Sequence, residues 1–413
     1  MTRTPAHPGD GAVKRRLAAR SRRWLALPVA AIVAVGAGTA ATATARHASG
    51  APHRQRAVSV STAAPSTTVS PGTTGTNSAT GTATTAATSR SAAAVPGPAT
   101  TAGSAAGATA VTATPSAAWS GPDGYSMVAG TTTGGAGGAT VTVTSLAGLT
   151  TEAARSGAEI VRVSGSFTCT GDIKVASNKT IAGVGPASGL TGCGLSLKSV
   201  SNVIVRNLRI AKVTASSGSG DAIHLEKSNH VWIDHNDLSS DQQHGKDYYD
   251  GLIDITHASD YVTVSWNYLH DHYKASLVGH SDSNAAQDTG HLHVTYHHNY
   301  FKNINSRMPS LRFGTGHVYD NYFVNGDTGV HSRMGAQMLV QNNVFRSVAT
   351  PILTTGDSKT DGYVNESGND LGTGKNDITR TGTFTKAPYP VTLDPTASVI
   401  ALVTTGAGTG HIA

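Results

Sequence analysis

The sequence has few charged and few aromatic side chains, and it lacks the short motifs of the common hydrolases. Charged residues make up 14% of the 413 residues, and aromatic residues make up 5%. The chain contains neither the G-x-S-x-G motif of serine hydrolases nor the H-E-x-x-H motif of zinc peptidases. Any chemistry therefore has to come from other residues, and the pair Arg307 and Arg312, which flank Pro309, stands out.

The net charge says little about the folded protein, because the N-terminus supplies it. Residues 1–45 carry seven Lys or Arg and one acid, which accounts for the formal charge of +6. A basic start, an apolar run at 24–38 and a small-residue site ending at Ala45 predict a secretory signal peptide. A single membrane anchor is the alternative, but Pro28 and Gly36 interrupt the run. We expect a secreted, extracellular protein without stable membrane association, and its near-neutral remainder has no general affinity for nucleic acid.

Composition divides the rest of the chain into two parts. Residues 46–117 are almost entirely Ala, Thr, Ser, Gly and Pro, which cannot bury enough apolar surface to offset conformational entropy. A disordered linker is predicted there, and a folded domain is predicted over 118–413. The domain contains the only two cysteines, Cys169 and Cys193. In an exported protein such a pair favours a disulfide over a metal or redox site.

A repeated pattern runs through the predicted domain. Short alternating segments each end in an asparagine, and these asparagines lie 22 to 32 residues apart: Asn207, Asn236, Asn267, Asn299, Asn321 and Asn343. Strand-and-turn units at this spacing, without a helical period, predict an all-β protein, a right-handed parallel β-helix (β-solenoid) with loop insertions. We expect each asparagine at a tight bend, in the left-handed conformation and bonded to the asparagine of the next coil. A β-sandwich is the alternative.

Acidic residues gather on what should be neighbouring coils. Strand alternation places Asp250 and Asp254 on the outer face, with Asp221 one coil earlier. These carboxylates would repel one another, and a hard cation such as Ca²⁺ would relieve the repulsion. Isolated surface acids are the alternative. A zinc site is not expected, because His297 and His298 are adjacent and should point to opposite sides.

Three cations follow downstream, at Lys274, Arg307 and Arg312. On a straight strand, positions five apart face opposite ways, but a bend at Pro309 would bring both arginines to one side. Together with a metal on the same face, the cations would form a groove for a polyanion that bears carboxylates. Separate solvated charges on the solenoid are the alternative.

The segments around these residues identify a family. From about residue 120 to about residue 370 the chain resembles polysaccharide lyase family 1, the extracellular pectate lyases. Six segments carry the resemblance: TTTGGAGG (131–138), GDAI (220–223), VWIDHNDL (231–238), the run from Asp250 to Asp282, VTYHHNYFKNINSRMPSLRFG (294–314) and HVYDNYF (317–323). The fold of this family is a right-handed parallel β-helix, consistent with the repeat.

The resemblance also implies a role for particular residues. It implies Ca²⁺ ligands at three acids: Asp221, Asp250 and Asp254. It implies substrate contacts at three cations: Lys274, Arg312 and Arg333. It implies a catalytic base at Arg307, with Asp234 and His235 supporting the site. Some family members carry a further acid where this chain has Ser219, so the number of ligands stays open.

The implied reaction is calcium-dependent β-elimination of α-1,4-polygalacturonate, which leaves 4,5-unsaturated oligogalacturonides. It needs neither water nor a covalent nucleophile, in keeping with the missing motifs. Polygalacturonate is the expected partner of a monomeric enzyme. Two alternatives stay open: a calcium-independent pectin lyase acting on methyl-esterified chains, and a non-catalytic pectin-binding solenoid.

Deletion of residues 46–117 is expected to leave activity on soluble polygalacturonate unchanged, because a disordered linker contributes no core. The measurement compares the thermal unfolding transition and the rate of unsaturated-product formation with and without the segment. Loss of the transition in the shortened protein would show that part of this segment belongs to the domain.

Overall fold

The structure is a computed structural model that describes residues 121–412. The predicted signal peptide at 1–45 and the predicted linker at 46–117 lie outside these residues. The described helices are a 3-10 helix at Gly124–Met127, α1 at Leu146–Ala154, α2 at Ala285–Asp288 and α3 at Thr396–Gly406. Within the described part of the chain, no helix has the length and apolar character needed to cross a membrane.

Short strands make up the body of the domain. They are β1 Ala139–Val143, β2 Glu159–Val163, β3 Ser166–Thr168, β4 Asp172–Lys174, β5 Lys179–Gly183, β6 Gly189–Thr191, β7 Gly194–Lys198, β8 Ser201–Arg206, β9 Arg209–Ala211, β10 Ile223–Glu226, β11 Asn229–Asp234, β12 Asp237–Ser239, β13 Ile253–Thr256, β14 Asp260–Ser265, β15 Tyr268–Lys274, β16 Ser276–Val278, β17 His293–His297, β18 Tyr300–Ser306, β19 Ser310–Arg312, β20 Thr315–Tyr319, β21 Tyr322–Arg333, β22 Gln337–Gln341, β23 Val344–Leu353 and β24 Tyr363–Ser367.

Each coil of the β-helix adds strands to two parallel sheets. A ten-stranded sheet runs β1-β2-β5-β8-β11-β14-β17-β20-β22-β24. A second sheet has two arms, one through β12-β15-β18 and one through β10-β13-β16-β19, which meet at the long strand β21. Successive strands pair in parallel, as in β11 with β14 and β14 with β17. The predicted all-β parallel β-helix with loop insertions is therefore confirmed, and the β-sandwich is not.

The interior contains stacks of similar side chains on successive coils. Phe301, Phe323 and Phe345 stack with ring centroids 4.9 and 4.5 Å apart. Val231 is the register partner of Val262, and both are fully buried. Because parallel pairing places each residue against its counterpart above and below, inward-facing apolar side chains form one continuous core.

A ladder of asparagines, all buried except the last, lines one corner of the β-helix. Its members, each one coil from the next, are Asn236, Asn267, Asn299, Asn321, Asn343 and Asn369. Each side-chain amide donates to the Oδ1 of the next member at 2.9 to 3.0 Å. The prediction that asparagines bond from coil to coil is confirmed. The ladder also continues beyond the predicted set, to Asn369.

Two details of the predicted repeat are wrong. Asn207 lies one position before the ladder, since Arg206 pairs with Asp234 and the backbone N–H of Leu208 donates to Asn236 Oδ1 at 3.0 Å. The left-handed bend also falls on the residue before each ladder asparagine. Its φ is 66° at Gly368 and lies between 50° and 53° at His235, Trp266, His298, Asp320 and Asn342. This bend turns the following asparagine inward, where its amide lies between coils and away from water.

The predicted disulfide between Cys169 and Cys193 is present, with the two Cα atoms 5.3 Å apart. It joins the segment after β3 to the segment between β6 and β7. A link across 24 residues restricts the unfolded chain and favours the folded state by about 3 kcal/mol.

Asn299→Ala is expected to lower the free energy of unfolding by at least about 2 kcal/mol. The change removes the buried acceptor of the Asn267 backbone N–H and of one Asn267 amide N–H, and it removes the amide that donates to the Val264 carbonyl. Urea denaturation measures the effect. Asn305→Ala is the matched control, because Asn305 bonds Asp327 across the same 22-residue separation but in contact with solvent. Equal losses in the two variants would contradict a structural role for the ladder.

Candidate active site

A cleft of about 350 Å³ lies on the face formed by β19 and the end of β21. Its lining includes all of the cations predicted from the sequence: Lys274, Arg307, Arg312 and Arg333. Arg312 and Arg333 are register partners on β19 and β21, and Lys274 is the last residue of β15. Arg307 lies in the turn before β19 with φ of 61°. This turn and Pro309 bring Arg307 and Arg312 to the same cleft, as the bend argument required.

Two of the arginines are held firmly by neighbouring groups. Arg312 Nε donates to Asp282 Oδ1 at 2.6 Å, and its Nη1 donates to the Gly279 carbonyl at 2.8 Å. Arg333 Nε donates to Ser358 Oγ at 2.7 Å, and Ser358 Oγ donates in turn to Asp282 Oδ1 at 2.8 Å. Burial and the neighbouring Arg312 lower the pKa of Arg333 to about 10. Asp282 therefore orients both guanidinium groups.

Lys274 and Arg307 differ in how they are held. Lys274 Nζ donates to Asp247 Oδ1 and to Asp250 Oδ1, each at 3.1 Å. The side chain of Arg307 forms no hydrogen bond or ion pair with another residue of the described 121–412 segment. Its backbone is fixed, because its carbonyl accepts the N–H of Ser276 at 2.8 Å. The side chain of Arg307 therefore lines the cleft without a hydrogen bond or ion pair to another described residue.

The three predicted acidic ligands lie at neighbouring positions beside the cleft. Asp221 Oδ1 accepts the backbone N–H of Gly251 at 2.8 Å, and Asp254 Oδ1 accepts that of Leu277 at 3.1 Å. Both side chains are buried, whereas the Asp250 side chain is 44% exposed. A Cβ on Gly251 would lie only 2.5 Å from Asp254 Oδ1 and 2.7 Å from Asp221 Oδ1. Glycine therefore keeps open a hollow between two carboxylates.

The electrostatics of this hollow favour a cation. Burial, and then the neighbouring Asp221, raise the pKa of Asp254 well above its ordinary value. Burial also raises the pKa of Asp221, although His224 Nδ1 lies 2.7 Å from its Oδ2. Two buried carboxylates with a third beside them are a donor set that suits a hard divalent ion such as Ca²⁺. The residue types present therefore fit the metal that the family resemblance implies, while the ligand oxygens of the three acids do not all lie within 4.8 Å of one another.

A second group of potential ligands lies at another corner, between β17 and β18. Of the described residues, only His298, Asp320 and Asp394 place three His, Cys, Asp or Glu ligand atoms within 4.8 Å of one another. The expectation that His297 and His298 point to opposite sides is wrong, because their Nδ1 atoms are 2.9 Å apart. The left-handed φ of 53° at His298 breaks the strand alternation on which that expectation rested.

Several cleft residues were missed by the sequence analysis. Lys246, Asp247, His331 and Asp357 also line the cleft. Burial, followed by the charge of Arg333, lowers the pKa of His331 to about 4. Most of these residues lie in loops without a regular pattern, so only a three-dimensional arrangement reveals them. The sequence did point to Asp282, because it is the last residue of one of the six segments that carry the family resemblance.

Asp234 and His235 do not line the cleft. They lie at the corner between β11 and β12, where Asp234 is fully buried and its Oδ1 accepts the hydroxyl of Ser265 at 2.9 Å. Their position indicates a part in the structure of that corner.

Two curated relatives cover most of the described domain. Pectate lyase A of Aspergillus niger is 48% identical over 286 residues, which are 69% of this chain and 86% of that protein. Pectate lyase A of Emericella nidulans is 50% identical over 286 residues, which are 69% of this chain and 85% of that protein. The chain is similar to both along nearly their whole length.

Solved structures and a family model agree with these relatives. The crystal structure of a pectate lyase from Bacillus sp. N165 in complex with trigalacturonate is similar with a TM-score of 0.65 and 34% identity, over 71% of this chain and all of that one. Pectate lyase II from Xanthomonas campestris has a TM-score of 0.61 and 28% identity, over 70% of this chain and 99% of its own. A family model described as pectate lyase matches residues 68–411. The chain belongs to the pectate lyase family, and it is a lyase enzyme.

Proposed function

We propose that this protein is a secreted, calcium-dependent pectate lyase that cleaves α-1,4-polygalacturonate by β-elimination. The observation that carries the proposal is the convergence of five cationic side chains on one cleft, beside three carboxylates. The relative from Bacillus sp. N165 forms a complex with trigalacturonate, which supports the same substrate class. Secretion is supported by the pattern of the N-terminal sequence, and a monomer is proposed.

Cationic side chains bind and orient the polyanion. Arg312 and Arg333 lie in register on neighbouring strands, and Lys274 lines the same cleft. Guanidinium groups match carboxylates in geometry as well as in charge, so the two fixed arginines are suited to hold successive uronate carboxylates. Because Asp282 holds Arg312 in place before substrate arrives, little reorganisation is needed on binding.

Arg307 acts as the base in this mechanism. Its neutral guanidine accepts the C5 proton of the uronate, which is acidic because it lies α to the carboxylate. The C5–H electron pair forms the C4–C5 double bond, and the C4–O4 bond breaks. The departing O4 takes a proton from solvent and becomes a hydroxyl, and Arg307 later releases its proton to solvent, so the products are one saturated and one 4,5-unsaturated chain end.

The acidic hollow has a separate part in the mechanism. Asp221, Asp250 and Asp254 would hold Ca²⁺, which when bound neutralises the substrate carboxylate and makes the C5 proton easier to remove. Lys274, already paired with Asp250, sits between this hollow and the arginines. It can therefore add a positive charge beside the same carboxylate.

One assay tests the proposal as a whole. The ultraviolet absorbance of unsaturated product is followed on polygalacturonate, first with calcium and then with a chelator. Activity that requires calcium is the expected result. Activity that prefers methyl-esterified pectin and persists in chelator would instead indicate a pectin lyase, and binding without product would indicate a non-catalytic solenoid.

Asp254→Asn is expected to lower the apparent calcium affinity and the activity together while the fold persists, because it removes one of two buried anionic ligands. The measurement is activity across a calcium titration, accompanied by the thermal unfolding transition. Asp370→Asn is the control, since Asp370 pairs with Arg346 outside the cleft. Full activity with an unchanged calcium requirement would remove Asp254 from the metal site.

Arg307→Lys is expected to reduce kcat by at least about 10²-fold, because a shorter ammonium has to deprotonate and reach the same C5 proton. KM should change much less, since Lys274, Arg312 and Arg333 still line the cleft. Both constants are measured on polygalacturonate at alkaline pH with saturating calcium. Arg346→Lys, a change in an exposed ion pair, is the control. A nearly normal kcat with a sharply raised KM would make Arg307 a binding residue.

A further inference from the structure

The corner between β17 and β18 holds potential metal ligands that the lyase reaction does not use. His298 Nε2 lies 2.8 Å from Asp394 Oδ2 and 4.0 Å from Asp320 Oδ2. None of these three residues lines the cleft. We propose that His298, Asp320 and Asp394 bind a divalent transition-metal ion of the Zn²⁺ class.

The charge on Asp320 is the first argument. The side chain is fully buried, and its Oδ2 accepts the backbone N–H of Asp394 at 3.0 Å. Its other oxygen, Oδ1, is buried without a hydrogen-bond partner. An incompletely paired carboxylate is costly to bury, and a bound cation would remove that cost. The Asp394 side chain is 22% exposed, so the group is open to solvent on one side.

The orientation of His298 is the second argument. Its Nδ1 lies 2.9 Å from His297 Nδ1, and His297 Nε2 lies 3.0 Å from Asp123 Oδ1. When Nδ1 of His298 carries the proton, it donates to Nδ1 of His297, and Nε2 of His297 donates to Oδ1 of Asp123. His298 Nε2 then directs a lone pair at the two carboxylates. Metal-binding histidines are held in the same way, by a hydrogen bond from the other ring nitrogen.

Packing fixes the imidazole plane as well. The ring of Trp266, one coil earlier, stacks on the ring of His298 with centroids 4.3 Å apart and planes 13° from parallel. The imidazole is therefore restrained by a stacked ring and by a hydrogen bond. A ligand restrained in this way loses little freedom when an ion binds.

The donor set indicates the class of ion. One imidazole nitrogen and two carboxylate oxygens suit Zn²⁺ and similar ions, and three protein ligands leave a position for water. Ca²⁺ takes oxygen ligands and needs more of them. The site should therefore discriminate against the ion proposed for the cleft.

The position of the ligands indicates a structural role. His298 and Asp320 lie on successive coils, while Asp394 belongs to the segment just before α3. That segment also contacts the β-helix through Asn342, whose amide donates to the Asp394 carbonyl at 2.8 Å. A bound ion would tie the C-terminal segment to the β-helix, and it would stabilise the folded state because the unfolded chain lacks the site.

The test uses the full chain, first treated with chelator and then kept in excess Ca²⁺. Zn²⁺ is titrated by calorimetry, and the thermal unfolding midpoint is measured with and without Zn²⁺. We expect saturable Zn²⁺ binding in the presence of Ca²⁺ and a rise in the midpoint of at least about 2 °C. Asp394→Asn should abolish both effects while unfolding remains cooperative and lyase activity in calcium remains normal.

Two further variants make the test specific. Asp271→Asn is the matched control, because Asp271 makes a bond of equal length, 2.8 Å, to His270 elsewhere on the surface. Asp254→Asn, which changes the proposed calcium site, should leave Zn²⁺ binding intact. Failure of the native chain to bind Zn²⁺ would overturn the proposal and indicate a proton shared by His298 and Asp394. Equal binding by native protein and Asp394→Asn would overturn it as well.

Discussion

Parallel pairing in register between successive coils is the interaction on which the rest of this structure depends. It places each residue directly against its counterpart one coil away, so that like side chains form rows. The phenylalanine stack and the asparagine ladder are two such rows inside the β-helix. The amide oxygen of a ladder asparagine accepts both the backbone N–H and the side-chain N–H of the preceding member, so these backbone N–H groups are buried with a partner.

The same geometry creates an electrostatic problem on the outer face. Like charges a coil apart repel one another, as Arg312 and Arg333 do, and acidic side chains beside the cleft cations offset part of this repulsion. Lys274 lies between Asp247 and Asp250, and Asp282 lies against Arg312. What remains is a cleft with carboxylates beside it. Within it, the side chains of Arg307 and Lys246 form no hydrogen bond or ion pair with another described residue. Such a prearranged field is suited to developing negative charge.

The corners of the β-helix have a chemistry of their own. The left-handed residues before the ladder form a row in which Trp266 stacks on His235 and on His298, with centroids 5.7 and 4.3 Å apart. At His298 and Asp320 this row is covered by the segment that carries Asp394. His298, Asp320 and Asp394 are thereby brought together away from most of the solvent, and a proton or a bound cation is needed to balance the charge of the two carboxylates. The cleft and this corner are therefore two separate electrostatic environments on one scaffold.

The sequence by itself determined the coil, the disulfide pair and four of the five cations of the cleft, because strand alternation, repeat spacing and family motifs are local properties. Even there it misplaced Asn207, since the ladder position in that coil is filled by Leu208 and only pairing reveals the register. The tertiary structure alone decided which loops reach the cleft, as with Lys246 and Asp357. It also decided that His298 meets Asp394, 96 residues away, through a left-handed bend that strand alternation does not foresee. Such contacts depend on how distant segments fold over a corner, and no short stretch of sequence contains that information.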